Sequence, residues 1–223
     1  MSAVSHHLQE AMKQHRLGRS KNWYIVNNVV DDEVFAPSGI DAKTERIRCI
    51  NVSCFEDRSK NLSGLVESIE QLVGEGINIE CVLAGVGEDF EKTGQLVKDK
   101  GLGNRIFFPG LLDKKEVAAQ MQQSHFYVQP SHYENVPVVI SEALMCGLPV
   151  VATKVGGLDE MIDEQNGYLI EPGNKAALTS ALKIMADQFE QFDRDQISHN
   201  AVEKYSPEAV RRQFLQLYAG IIK

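Results

Sequence analysis

The runs RIRCINVS, IECVLAG, RIFFPG, HFYVQP, PVVAT and GYLIEP recur between Arg46 and Pro172, and they constrain the fold more than any other feature. Each is a short, continuous apolar stretch, not an alternation of apolar and polar residues. That pattern belongs to strands buried on both faces, as in parallel sheets. Most of the stretches between them carry helical periodicity: NLSGLVESIEQLVGEG, EDFEKTGQLVKDKGL, KKEVAAQMQQS and VPVVISEALMCG. Strands alternating with helices of this length imply βαβ units. The expected fold class is therefore α/β, a doubly wound, mostly parallel sheet with helices on both faces. PVVAT and GYLIEP are separated by a shorter helical segment, GLDEMI.

The flanks differ from this middle. Residues 1–20 are polar, basic and helix-like, and WYIVNNVVDDEVFAP reads as a short strand and a turn. Pro37, Ser38 and Gly39 mark a break. From Asn174 to Lys223 the chain reads as helices. With 223 residues there is room for one large domain or two small ones. A net charge of −8 argues against non-specific nucleic-acid binding, which rests on Lys and Arg. Cys49, Cys54, Cys81 and Cys146 have no zinc-like spacing and read as buried thiols of a cytoplasmic protein. No apolar run approaches the ~20 residues a membrane span needs, and the N-terminus lacks an apolar signal core.

In doubly wound folds ligands bind outside the carboxyl ends of the strands. The loops SCFEDRSKN, GVGED, PGLLDKK, QPSHYEN and TKVGG stand at those ends. GVGED has two glycines of a dinucleotide fingerprint, but Phe90 stands where the third is needed. A tight strand-to-helix turn and a ligand contact both account for Gly85 and Gly87. Lys60 reads as a phosphate contact, because it opens the following helix at the sheet's carboxyl edge. Arg58 reads as a solvated cation. Asp193, Arg194 and Asp195 form a DRD sequence inside a helical run and read as a solvated charged patch, not a metal site. His6 and His7 receive no role.

In SHYENVPVVISEALMCGLPVVAT, Glu134 and Glu142 sit eight positions apart. Glu134 follows a strand, so it stands at the sheet's carboxyl edge. Asn135 to Val139 open a helix, with Pro137 tolerated in its first turn, and Gly147 ends it. A fully helical path would separate the carboxylates by about 12 Å along the axis. Between them lies a helix N-terminus with unpaired N–H groups and partial positive charge. This suits a ligand with hydroxyls at both ends and a dianionic centre, such as a nucleotide diphosphate-sugar. It equally suits a helix cap at Glu134 and a structural pair at Glu142, and spacing alone leaves both readings open.

The segment resembles the E-x7-E motif of retaining glycosyltransferases of the GT-B fold, of the family 4-like group. PSHYENVPVVISEALMCGLPVVATKVGGLDEMIDEQNGYLIEPGN resembles that family along its whole length, including Gly156-Gly157 with Glu160 following. VNNVVDDEVFAP, VSCFEDRSKN, AGVGED and RIFFPGLLDKKEV resemble its other landmarks. The resemblance implies a Rossmann-like, C-terminal donor-binding half of a GT-B enzyme. It implies boundaries too: residues 1–38 as the end of an N-terminal acceptor domain plus linker, 39–205 as the donor domain, and 206–223 as a closing helix.

By position, the resemblance gives Glu134 the hydroxyls of the donor sugar and Glu142 those of the ribose. Lys60 would neutralise the diphosphate, and Glu134 and Lys60 are the catalytic candidates. Asn135, Val136 and Pro137 would lie along the donor, and the N–H groups of Val138 and Val139 would meet phosphate oxygens. Gly85 and Gly87 would give room for the nucleotide, and Leu111 and Leu112 would bring backbone to the base. Many members carry an arginine five or six residues before the lysine. Here those positions hold Cys54 and Phe55, which leaves two readings open: Arg58 as a substitute phosphate ligand, or phosphates that rest on Lys60 and the helix end. The family's Asn-Gly appears as Asn27-Asn28.

The implied donor is a UDP-, GDP- or ADP-sugar, with no metal or other cofactor required. The implied acceptor is a saccharide or lipid-linked molecule held by the N-terminal domain. Polysaccharide or lipopolysaccharide synthesis is the expected setting, in the cytoplasm or at the inner face of the membrane, with peripheral membrane contact through the absent domain. A nucleotide-sugar 2-epimerase, a dinucleotide-binding oxidoreductase and a non-catalytic nucleotide-binding fragment are the alternatives.

Overall fold

The computed structural model describes residues 1–18, 22–38 and 46–221. Eight strands are present among them. β1 (Ser2–Ala3) pairs in parallel with β2 (Tyr24–Ile25). The main sheet contains β3 (Ile47–Val52), β4 (Ile79–Ala84), β5 (Ile106–Gly110), β6 (Phe126–Gln129), β7 (Val150–Thr153) and β8 (Gly167–Ile170). Its order is β5-β4-β3-β6-β7-β8, and every pair is parallel. The apolar runs are therefore the strands of one doubly wound sheet. Pro109, which cannot donate to a ladder, sits on the edge strand β5, where such a residue is tolerated.

The helices are α1 (His6–Gln14), α2 (Asp57–Lys60), α3 (Leu62–Gly74), α4 (Phe90–Asp99), α5 (Lys114–Gln122), α6 (Val138–Met145), α7 (Lys175–Gln188), α8 (Arg194–Tyr205) and α9 (Pro207–Ile221). Successive strand residues point to opposite faces, and the core divides accordingly. Ile50, Val82, Tyr127 and Val150 join the layer under α5, α6 and α8. Cys49, Cys81, Phe126 and Val151 join the layer under α3, α4 and α7. All four are almost fully buried in each layer, and burial on both faces is why these strands read as continuous apolar runs.

The chain builds outward from β3 through β4 to β5, then returns to place β6 on the other side of β3. The strand order reverses between β3 and β6, which makes their carboxyl ends the crevice of this sheet. The loop after β3 carries Lys60 and the loop after β6 carries Glu134.

The flanks depart from expectation in detail. The helix-like N-terminal stretch begins as strand β1, too short for a periodic pattern, and its helix covers only His6–Gln14. Of the expected break at Pro37, Ser38 and Gly39, Gly39 lies outside the described residues. GLDEMI forms a single 3-10 turn over Leu158–Glu160. Cys54 is exposed, against the expectation of four buried thiols, because it follows β3 into the loop, whereas Cys49, Cys81 and Cys146 are buried. α9 turns back onto β2: Val210 and Leu217 pack with Val26 and Tyr24. Gln213 Oε1 also accepts the Asn27 N–H at 2.8 Å.

Candidate active site

Lys60 does not open the long helix that follows β3. It ends the single turn α2, and Asn61, in the left-handed conformation (φ 53°), redirects the chain into α3. Asparagine tolerates that conformation, and its Nδ2 donates to Pro130 O at 3.1 Å, across to the β6 loop. Asp57 locks the same turn by accepting the Ser63 N–H and hydroxyl, each at 2.7 Å. Ser59 O accepts the His132 N–H at 2.7 Å. The two loops at the crevice are thus joined backbone to backbone.

These constraints aim the side chains at one another. Lys60 Nζ donates to Glu134 Oε1 at 2.7 Å, with the two side chains only 17% and 7% exposed. The same oxygen accepts from Gln129 Nε2 at 2.7 Å and Ser131 Oγ at 2.8 Å. Behind it, Tyr127 donates to Gln129 Oε1 at 2.6 Å, and Asn51 Nδ2 donates to Val128 O at 2.8 Å. Three donors on Oε1 fix the carboxylate, and among the described residues Oε2 has no hydrogen-bond partner. Neither a helix cap nor a lone surface acid matches this geometry.

Burial is the first cause that pushes the Tyr127 hydroxyl far above its usual range, and the charges of Glu134 and Glu142 add to it. Both glutamates therefore act on one buried hydroxyl beneath the crevice. Glu142 lies on the second turn of α6 and is half-buried. Burial raises its carboxyl above the usual range, and the Lys114 ammonium pulls it partly back. Among the described residues its carboxylate has no hydrogen-bonding side chain.

Between the glutamates, α6 begins at Val138, not at Asn135 as expected, and Pro137 is its N-cap rather than a residue of its first turn. Proline offers no capping oxygen, and no side chain caps this end. The Val138 and Val139 N–H groups thus remain available to an anion. Asn135 and Val136 form the approach. Asn135 O accepts the Gly157 N–H at 2.9 Å, and Val136 O accepts from Asn28 Nδ2 at 3.3 Å. At the other end Gly147 adopts φ 72° and closes the helix as expected.

Gly85 and Gly87 make room first for the protein itself. A Cβ on Gly85, whose φ is 130°, would lie 1.9 Å from Ser53 O, and one on Gly87 would lie 2.5 Å from Phe55 O. Phe55 is fully buried against Phe90 and Phe108, with ring centroids 5.0 and 6.0 Å away. Phe90, where a dinucleotide fingerprint needs its third glycine, is thus a partly buried aromatic packed against the core. Leu111 is 77% exposed and Leu112 half-buried, beside Gly110, whose carbonyl accepts the Gly85 N–H at 2.8 Å. Arg58 is exposed on α2.

The DRD sequence lies away from this crevice. Asp193 caps α8 by accepting the Gln196 N–H at 2.9 Å. Arg194 is not a solvated charge: it is half-buried and donates to Ser124 O and Cys146 O, each at 3.3 Å. Sequence reasoning missed Asn51, Tyr127, Gln129 and Ser131. The signal was present, because Asn51 and Gln129 are amides in mostly apolar strand runs and are themselves fully buried, and buried amides need partners. No helix of the described residues is long and apolar enough to cross a membrane.

Comparison with known proteins agrees with this architecture. A family model described as "Glycosyl transferases group 1" matches residues 35–204. N-acetyl-alpha-D-glucosaminyl L-malate synthase of Bacillus anthracis is 29% identical over 224 residues, covering 96% of this chain and 55% of its own length. Poly(glycerol-phosphate) alpha-glucosyltransferase of Bacillus subtilis is 26% identical over 211 residues, covering 92% of this chain and 31% of its own. The chain thus spans about half, or less, of the length of these curated relatives. Among solved structures, HepE of Anabaena in complex with UDP superposes with a TM-score of 0.86 at 21% identity, over 98% of this chain and 63% of that one. Sucrose-phosphate synthase of Thermosynechococcus elongatus superposes with a TM-score of 0.84 at 23% identity, over 99% of this chain and 58% of that one. These two likenesses establish the fold, a Rossmann-like half of the GT-B architecture.

Proposed function

The chain belongs to the glycosyl transferases group 1 family, and on that premise we propose that its crevice binds the nucleotide diphosphate-sugar donor of a retaining sugar transfer. The observation that carries this reading is the Lys60–Glu134 contact of 2.7 Å at the point where the strand order reverses. A phosphate-seeking cation and a hydroxyl-seeking carboxylate stand together beside an uncapped helix N-terminus. Family membership favours the transferase over the epimerase and the oxidoreductase.

In this reading Glu134 Oε2 accepts hydrogen bonds from the donor sugar's hydroxyls. Glu142 accepts from the ribose, an interaction its ionised form makes best. The diphosphate lies across the start of α6, where the Val138 and Val139 N–H groups meet its oxygens. As the sugar leaves, charge gathers on the terminal phosphate oxygen. Preorganised donors aimed at that charge lower the barrier, and Lys60 and the helix end supply them. Asn135, Val136 and Pro137 shape the path between sugar and phosphate. Arg58, on the exposed face of the Lys60 turn, adds long-range positive potential. The exposed backbone at Leu111 and Leu112 lies at the base end.

The curated relatives are longer, so we assign this chain the donor and leave a saccharide or lipid-linked acceptor to the rest of such an enzyme. Residues 39–205 are the donor domain in this proposal, residues 1–38 belong to the acceptor side and linker, and α9 closes the unit. Thermal shift with UDP, GDP, ADP, their glucose conjugates and NAD tests the reading. One nucleotide and its sugar should raise the melting temperature. A shift with NAD and with none of the sugar nucleotides would overturn it.

A further inference from the structure

We infer that Glu160 is a positioning residue that ties the N-terminal helix α1 to the backbone of Glu134 and Asn135. The Glu160 carboxylate accepts the N–H of His6 through Oε2 at 2.8 Å and of His7 through Oε1 at 2.6 Å, across more than 150 residues of chain. Ser5 Oγ accepts the next N–H, that of Leu8, at 3.1 Å. Gln9 N–H then makes the first bond within the helix, to Ser5 O. Every free donor of the first turn is thus taken, and two of the three are taken by one distant carboxylate. α1 has no acidic residue of its own in that turn, so Glu160 also supplies the negative charge that a helix N-terminus favours.

The contact continues inward without a gap. Glu160 N–H donates to Gly157 O at 3.1 Å, and Gly157 N–H donates to Asn135 O at 2.9 Å. A Cβ on Gly157 would lie 3.1 Å from Ser5 Oγ, so this strip of backbone lies directly on the start of α1. A Cβ on Gly156, whose φ is 58°, would lie 2.3 Å from Glu134 O and 2.6 Å from Asn135 O. The Glu134 head group is held by Lys60, Gln129 and Ser131, while Gly156 packs against its carbonyl and Gly157 N–H bonds the next one, Asn135 O, in the strip that Glu160 anchors. Releasing α1 from Glu160 loosens the second support and leaves the first intact.

The inference rests on the donor-binding reading, and one arm of its test does not. Hydrogen exchange of the peptide spanning residues 131–137, measured in the unliganded chain, should speed up in Glu160→Ala and recover in part in Glu160→Gln, which keeps one acceptor oxygen. Calorimetry below the melting temperature should show UDP-glucose binding weakened about tenfold in Glu160→Ala, with the same partial rescue. Asp193→Ala removes a comparable cap from α8 and should change neither readout. Unchanged exchange at residues 131–137 in Glu160→Ala sinks the inference. Accelerated exchange in Glu160→Ala, together with a wild-type chain that binds no sugar nucleotide, leaves it standing and overturns the functional reading instead.

Discussion

Lys60 Nζ lies 2.7 Å from Glu134 Oε1, so the cation proposed for the phosphate and the carboxylate proposed for the sugar neutralise each other. Both side chains are mostly buried, and removing one partner leaves the other charge poorly solvated. Glu134→Gln should therefore lower stability by about 1–3 kcal/mol while leaving Lys60 with an uncancelled charge for phosphate. UDP should bind the variant at least as tightly as the wild type. UDP-glucose should lose the advantage its sugar confers, so the ratio of the two affinities falls about tenfold by calorimetry. An unchanged ratio would remove Glu134 from the sugar site.

Glu142 gives a prediction with a sign in pH. Burial raises its carboxyl above the usual range, so the folded chain holds that proton more readily than the unfolded chain. The associated stability is complete below the unfolded value, about 4.3, and is lost as pH rises through the raised folded value. Glu142→Gln removes the charge that costs energy there. The unliganded variant should be more stable than wild type at neutral pH, by up to about 1 kcal/mol, and the difference should vanish in acid. The same substitution should weaken nucleotide-sugar binding, and binding to the wild type should weaken as pH falls through the raised value. A variant destabilised at pH 7, with binding intact, would make Glu142 a structural partner.

The strands and their carboxyl edges were legible because β3, β4, β6 and β7, buried on both faces, leave a largely apolar signature over four to six residues, while the edge strands β5 and β8, only partly buried, are apolar enough to read alike. Glu134, Glu142 and the start of α6 followed from placing a polar loop after such a run. What remained hidden was set by long-range geometry. The reorientation at Asn61 that turns Lys60 toward Glu134 depends on Pro130, across the crevice. The partners of Glu160 lie at the other end of the sequence. Gly85 and Gly87 looked like ligand loops because glycine marks any close approach, and here the close approach includes the chain's own Ser53–Phe55 backbone.

Cys54 and Phe55 occupy places where many relatives of this kind carry arginine, and the structure separates them. Phe55 is fully buried in an aromatic cluster, so Phe55→Arg should cost more than about 3 kcal/mol and give little folded protein. Cys54 is exposed at the same crevice loop. Cys54→Arg should fold normally and tighten UDP binding severalfold, an effect that added salt screens. Denaturant melts and calorimetry at low and high salt measure both.

Gly85 adopts φ 130°, a conformation open essentially to glycine alone, and its Cβ would overlap the Ser53 carbonyl. Gly85→Ala should force the β3 and β4 loops apart, at about 2–4 kcal/mol of stability. Gly74, with nothing within 4 Å of a built Cβ, is the control. Gly74→Ala, at the end of α3, should be neutral or stabilising by up to about 1 kcal/mol. Equal melting temperatures for the two variants would contradict the close approach.

The chain of donors behind Glu134 predicts a graded series. Gln129 touches the carboxylate directly through Nε2, and Tyr127 acts one step further back, through Gln129 Oε1. Gln129→Leu deletes one of three donors to Glu134 Oε1 and leaves Tyr127 to the Val52 carbonyl, which it reaches at 3.2 Å. Tyr127→Phe keeps the Gln129–Glu134 bond but frees the amide to turn. Each should cost about 1–3 kcal/mol of stability, the range for a buried hydrogen bond left half made. Their effects on binding should differ. Gln129→Leu should weaken UDP-glucose more than UDP, because the misplaced group is the sugar-facing carboxylate, and Tyr127→Phe should do the same more weakly. If the two variants lost the same stability yet neither changed the UDP-glucose to UDP affinity ratio, the network would be a fold device alone, with no part in holding Glu134 for the donor.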